Sequence, residues 1–117
     1  MESTADPRDR RRPFYEQLRA TLEPMTDARG RSFELVSLPE ARDATAVGER
    51  FCRSYVNFYY ANGAVIAPAY GIRTDDEVRE HLQSLFPERE IVQVRIDHIA
   101  EGGGGIHCIT QQQPLLQ

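Results

Sequence analysis

The chain has 117 residues, 40% hydrophobic and 27% charged, with a net charge of −4. That length bounds it at one domain, and its negative balance offers no overall field to attract nucleic acid. No stretch approaches the ~20 apolar residues of a membrane-spanning helix. The two cysteines, Cys52 and Cys108, and the lack of an apolar run behind the charged N-terminus predict a reduced, cytoplasmic setting without a disulfide framework.

Residues 1–12 are polar and without periodicity, and are expected to be disordered. Their "RDRRR" run, accompanied by Asp6 and Asp9, reads as a solvated terminus rather than a phosphate-binding arm. From Pro13 a helix is expected, with Phe14, Leu18, Leu22 and Met25 on one face and Pro24 limiting its length. "SFELVSL" (32–38) alternates as a strand does, and 39–50 reads as a loop. "SYVNFYYA" and "AVIAPAY" are two strands joined at Asn62-Gly63, a strong hairpin signal. "TDDEVREHLQSLF" (74–86) is a helix, with Thr74 and Glu77 in capping-box spacing. "REIVQVRID" (89–97) is a further strand, and 106–111 is expected to be a last one. The fold class is therefore α/β. One complete ββαβ unit stands between two incomplete pieces, as in a slice of a repeating architecture.

The segment "EGGGGIHCITQQQP" (101–114) is the richest in chemistry. Four glycines have no packing purpose inside a strand and are costly to order, but they let backbone approach a ligand. Cys108 after them is either a buried core cysteine or a nucleophile at the mouth of a backbone-lined pocket. On a strand, His107 would face away from the thiol. Asp97, His98 and Cys108 spell a triad on paper, but triads are defined by geometry and not by proximity in sequence. His81 reads as a solvated helix residue, and the acidic "TDDE" as dipole-complementing charge. No cysteine or histidine spacing suits a metal, and no helix follows the glycines to make a dinucleotide site. Asn57, a polar amide among aromatic and β-branched neighbours, must find hydrogen-bond partners if buried, either in the backbone or in a substrate.

"SYVNFYYANGAVIAPAYG" (54–71), "FPER" (86–89) and "GGGGIHCITQQQP" (102–114) closely resemble the C-terminal portion of agmatine deiminases. These belong to the Porphyromonas-type peptidylarginine deiminase family of guanidine-modifying enzymes. The resemblance implies a pentein, or α/β-propeller, fold of which this chain holds an incomplete ring. Residues 13–38 would end the penultimate repeat, 54–97 form the last ββαβ repeat, and 102–114 carry the nucleophile loop and strand. It also implies Cys108 as the nucleophile that attacks agmatine's guanidinium carbon through a covalent thiouronium, in a step of putrescine biosynthesis. Gly102, Gly103, Gly104 and Gly105 would line the pocket and Asn57 would touch substrate, with neither a metal nor an organic cofactor.

The resemblance is partial. The family's acid/base histidine lies in a Gly-His-Ile-Asp-like motif upstream of the cysteine, and this sequence has none. The guanidinium-binding carboxylates are missing with it. A chain inactive by itself is therefore expected. Three alternatives stand beside that reading. One is action on peptidyl-arginine or another guanidine. Another is a non-catalytic module completing a propeller with a partner chain. The third is a minimal hydrolase built on Asp97, His98 and Cys108.

Overall fold

The computed structural model describes residues 1–46 and 48–115. Val47, in the expected loop, and Leu116 and Gln117, at the end of the expected domain, lie outside the described residues. The chain divides into two compact units, Met1–Glu40 and Ala41–Gln117.

In the first unit a two-residue strand β1 (Glu2–Ser3) pairs in parallel with β2 (Leu38–Pro39), with helix α1 (Arg12–Leu22) between them in sequence. The N-terminus is thus not the disordered arm expected. Asp6 and Asp9, which appeared only to dilute the arginines, fold the segment locally: each carboxylate accepts a backbone N–H two residues on, from Arg8 and Arg11 at 2.9 Å. Short acidic side chains bonding nearby backbone are standard turn formers.

Helix α1 begins one residue before Pro13, which tolerates the first turn because its missing N–H has no partner there. Its inner face differs from the expected one. Tyr15 is buried, Leu18 and Leu22 are half-buried, and Phe14 and Met25 are exposed. The Tyr15 hydroxyl donates to the Glu40 carboxylate, which also pairs with Arg11. That partner is what makes burying the tyrosine tolerable. The expected strand at 32–38 shrinks to Leu38–Pro39 with an isolated bridge from Thr26 to Ser32. Alternation alone does not make a strand; a ladder needs a neighbour, and β1 offers only two residues.

The second unit contains the expected ββαβ order. Strand β3 (Tyr59–Ala61) pairs antiparallel with β4 (Ala64–Ala69). Helix α2 (Thr74–Leu85) then crosses over to β5 (Glu90–Arg95), which pairs parallel to β4. The hairpin turns at Asn62-Gly63, and Gly63 takes a left-handed φ of +77° that side chains avoid. β4 is the middle strand, burying Val65, Ala67 and Ala69, while α2 buries Val78 and Leu82. Pro68 is tolerated in it because β3's pairing ends at Tyr59↔Ile66, so one flank of β4 carries no ladder there.

Three further expectations are corrected. Helix α2 does not use the Thr74–Glu77 capping box: Arg73 precedes it with no side-chain cap. Asp75 turns back instead, accepting N–H groups from Tyr70, Gly71 and Ile72 at 2.7–3.1 Å and the Tyr55 hydroxyl at 2.6 Å. A carboxylate that is only 8% exposed requires such a set of donors. The first strand of the hairpin is shorter than "SYVNFYYA", which leaves Tyr55 and Asn57 before it. After β5 comes a helix that the pattern did not reveal, α3 (Asp97–Glu101), and the expected last strand is instead a 3-10 turn, His107–Ile109.

The "FPER" motif is structural. Arg89 stacks its guanidinium 3.9 Å from the Tyr60 ring centroid and donates to the Ala61 carbonyl, while Phe86 packs edge-on against Tyr60 and Phe58. It fastens the end of α2 to the hairpin. Among the described residues no helix is long and apolar enough to cross a membrane.

Candidate active site

Helix α3 ends where the glycines begin. The N–H groups of Gly102 and Gly103 close back onto Ile99 and Ala100 at 3.0 and 2.9 Å, and Gly103 bends the chain with φ +88°. These two exposed glycines end a helix. Gly104 and Gly105 do something else. They lie against the side chains of the site: a Cβ on Gly104 would sit 3.1 Å from Cys108 Cβ, and one on Gly105 would sit 2.8–2.9 Å from Cβ, Cγ and Oδ1 of Asn57. The run therefore lets side chains of this chain approach one another, besides any approach of substrate.

The 3-10 turn then presents Cys108, an exposed thiol. Asn57, 51 residues earlier, reaches across to it, donating from Nδ2 to Sγ at 3.2 Å. Its Oδ1 accepts the His107 N–H at 2.8 Å, and its backbone carbonyl takes the same N–H at 3.2 Å. Because a main-chain donor pins Oδ1, the amide orientation is fixed and Nδ2 must face the sulfur. A neutral thiol could also donate to Oδ1, at the longer distance of 3.7 Å. Ionisation gives up that weaker bond and keeps the amide donation. The Asn57 amide first, and the Gly105 N–H after it, hold the Cys108 thiol below its ordinary pKa. An exposed thiolate that accepts from the Asn57 amide can act as a nucleophile.

The other sequence candidates fall elsewhere. His107 contributes its backbone to Asn57, and its side chain is exposed. Asp97 is tied to Arg95 at 2.8 Å, which holds its carboxyl below the usual range. The His98 side chain is 98% exposed, with Nδ1 3.7 Å from Glu101. Asp97 and His98 thus have partners other than the thiol, and the Asp97–His98–Cys108 set is not assembled. His81 is an exposed residue of α2. Among the described residues no group of three or more histidines, cysteines or carboxylates could hold a metal ion. Sequence reasoning singled out Asn57 but gave it to backbone or substrate. Its pairing with Cys108 left no local signal.

The sequence model of the Porphyromonas-type peptidyl-arginine deiminases matches residues 1–114. The chain belongs to that family. The agmatine deiminase of Pseudomonas fluorescens is 36% identical over 132 residues, which cover 97% of this chain and 36% of the relative. That of Pseudomonas syringae pv. tomato is 37% identical over 95% of this chain and 35% of its own length. A solved structure described as "Agmatine deiminase of Enterococcus faecalis catalyzing its reaction" superposes with a TM-score of 0.83 at 30% identity, over 97% of this chain and 36% of that one. This member of the peptidyl-arginine deiminase family thus spans about a third of the length of the relatives it matches, and it shares their α/β fold over that third. The α/β class and the ββαβ unit expected from the sequence are what the structure contains.

Proposed function

We propose that this chain supplies the nucleophile segment of an agmatine deiminase. Cys108 is the attacking group, Asn57 is its orienter, and a cationic guanidine, agmatine first among them, is the substrate. The observation that carries the reading is the Asn57 Nδ2 to Cys108 Sγ hydrogen bond at 3.2 Å on an exposed thiol, within a chain whose similar proteins are named for this activity.

The thiolate adds to the guanidinium carbon to form a C–S bond. The C–N bond to a terminal nitrogen then breaks, and that nitrogen leaves as ammonia after taking up a proton, giving a thiouronium on Cys108. Water adds to the same carbon, the C–S bond breaks, and a carbamoyl product and the thiol are released. Two needs of this sequence have no residue here: an acid/base histidine to move the protons, and carboxylates to hold the cation. In the resemblance noted above both come from upstream segments, so polypeptide outside these 117 residues provides them. The setting is a reducing, cytoplasmic one, which keeps the thiol available.

Ammonia release from agmatine by the 117-residue chain, with Cys108→Ala as control, tests the division of labour. No release from either is expected, because removing acid/base assistance alone costs ~10²–10⁴-fold in rate. Turnover by the wild-type chain only would sink that division and keep Cys108 as nucleophile. Turnover by both would remove Cys108 from the reaction.

A further inference from the structure

We propose that Gly105 is a positioning residue for the nucleophile: its missing side chain is the space that lets the Asn57 carboxamide lie against the Cys108 thiol. The proposal rests on the reading of Cys108 as nucleophile and goes beyond it. Gly105 is buried, and its φ is not in the left-handed region, so no backbone requirement explains the glycine. What excludes a side chain is contact. An added Cβ would stand 2.8–2.9 Å from Asn57 Cγ, Cβ and Oδ1, closer than carbon and its neighbours approach in packed interiors.

The atoms it meets are not a flexible tip that could swing aside. Asn57 Cβ is bound to the backbone, and Oδ1 is already fixed by the His107 N–H at 2.8 Å. Relief must therefore come from moving the carboxamide as a whole, and Nδ2 leaves Sγ with it. Gly105 thus acts through Asn57 and is not itself a catalytic residue.

The test is the pH dependence of iodoacetamide alkylation in the 117-residue chain. Cys108 is read separately from Cys52 by peptide mass spectrometry. The midpoint of the curve reports the thiol pKa, and it is a cleaner readout than the rate, because intrinsic nucleophilicity rises as pKa rises. Wild type is expected to titrate below the ~8.5 of a free cysteine. Gly105→Ala is expected to move the midpoint up towards that value. Asn57→Ala should move it in the same direction, and the two together should shift it no further than the larger single change, as residues acting through one contact do.

A folded Gly105→Ala chain that keeps the wild-type midpoint overturns the proposal and leaves the nucleophile reading intact. A wild-type midpoint at the free-cysteine value overturns the proposal too, because the Asn57 contact then does nothing for the thiol, and the nucleophile reading stays with the ammonia-release test. Melting temperature gives a second route that does not require the single variant to fold. Gly105→Ala is expected to lower it, or to abolish folding, in the wild-type background. It should cost nothing further in an Asn57→Gly background, where the obstructing atoms are gone. An equal loss in both backgrounds would show that the glycine serves something other than Asn57.

Discussion

Asn57 works because it is an amide. One side chain offers an acceptor to His107 N–H and a donor to Cys108 Sγ, at 2.8 and 3.2 Å. Aspartate preserves the first bond and replaces the second with a like charge beside the thiolate, which disfavours ionisation. Asn57→Asp is therefore expected to raise the midpoint of the Cys108 alkylation curve above that of wild type. Asp75 shows the opposite use of a polar side chain, with every contact structural. Tyr55, fully buried, donates to it at 2.6 Å, and removing that hydroxyl by Tyr55→Phe is expected to cost about 1–2 kcal/mol near neutral pH, measured by urea unfolding. Burial first, and the neighbouring carboxylate next, push the Tyr55 hydroxyl pKa up. A folded pKa above the unfolded one means that stability is fully present below the unfolded value, near ~10, and is lost as pH rises beyond it. Stability should therefore fall above about pH 10 in wild type, and Tyr55→Phe should flatten that decline.

At the scale of elements, the hairpin and its crossover set where the site lies. The Asn62-Gly63 turn fixes the register Ala61↔Ala64, Tyr60↔Val65 and Tyr59↔Ile66. That register puts Val65 on the buried face. Gly63→Ala must hold a side chain at φ +77°, which is expected to cost about 1–2 kcal/mol in chemical denaturation without changing the sheet order. Two short elements, α3 and the 3-10 turn, then deliver the thiol. The turn is not a strand because neither β3 nor β5 receives it: the His107 N–H that a ladder would use is taken by Asn57.

For the whole molecule, the relevant fact is that the chain spans about a third of its relatives while sharing their fold over that third. Among the described residues β3 and β5 each pair on one side only, and open sheet edges are surfaces on which further chain can pack. Fusing this chain to the preceding two-thirds of the Pseudomonas fluorescens agmatine deiminase, in place of that enzyme's own last third, is expected to give ammonia release from agmatine, and Cys108→Ala is expected to abolish it. An inactive but folded fusion, with Cys108 still titrating low, would count against agmatine chemistry for this segment.

By itself the sequence determined the ββαβ order, the turn at Asn62-Gly63, the extent of α2 to within a residue and the family, because each of these is written in neighbouring residues. Alternation, turn chemistry and a contiguous motif need no knowledge of what lies across the molecule. It misassigned the inner face of α1, the cap of α2, the N-terminal segment and the last strand. Those depend on a distant partner: Glu40 for Tyr15, the Tyr55 hydroxyl for Asp75, Leu38 for Glu2, and a neighbouring strand that residues 106–111 do not have. The site divides along the same line. The proposal of Cys108 as nucleophile rests on its motif, which is local. The contact of the Asn57 amide with its sulfur, and the space at Gly105 beside that amide, come only from tertiary packing, which brings together atoms 51 residues apart.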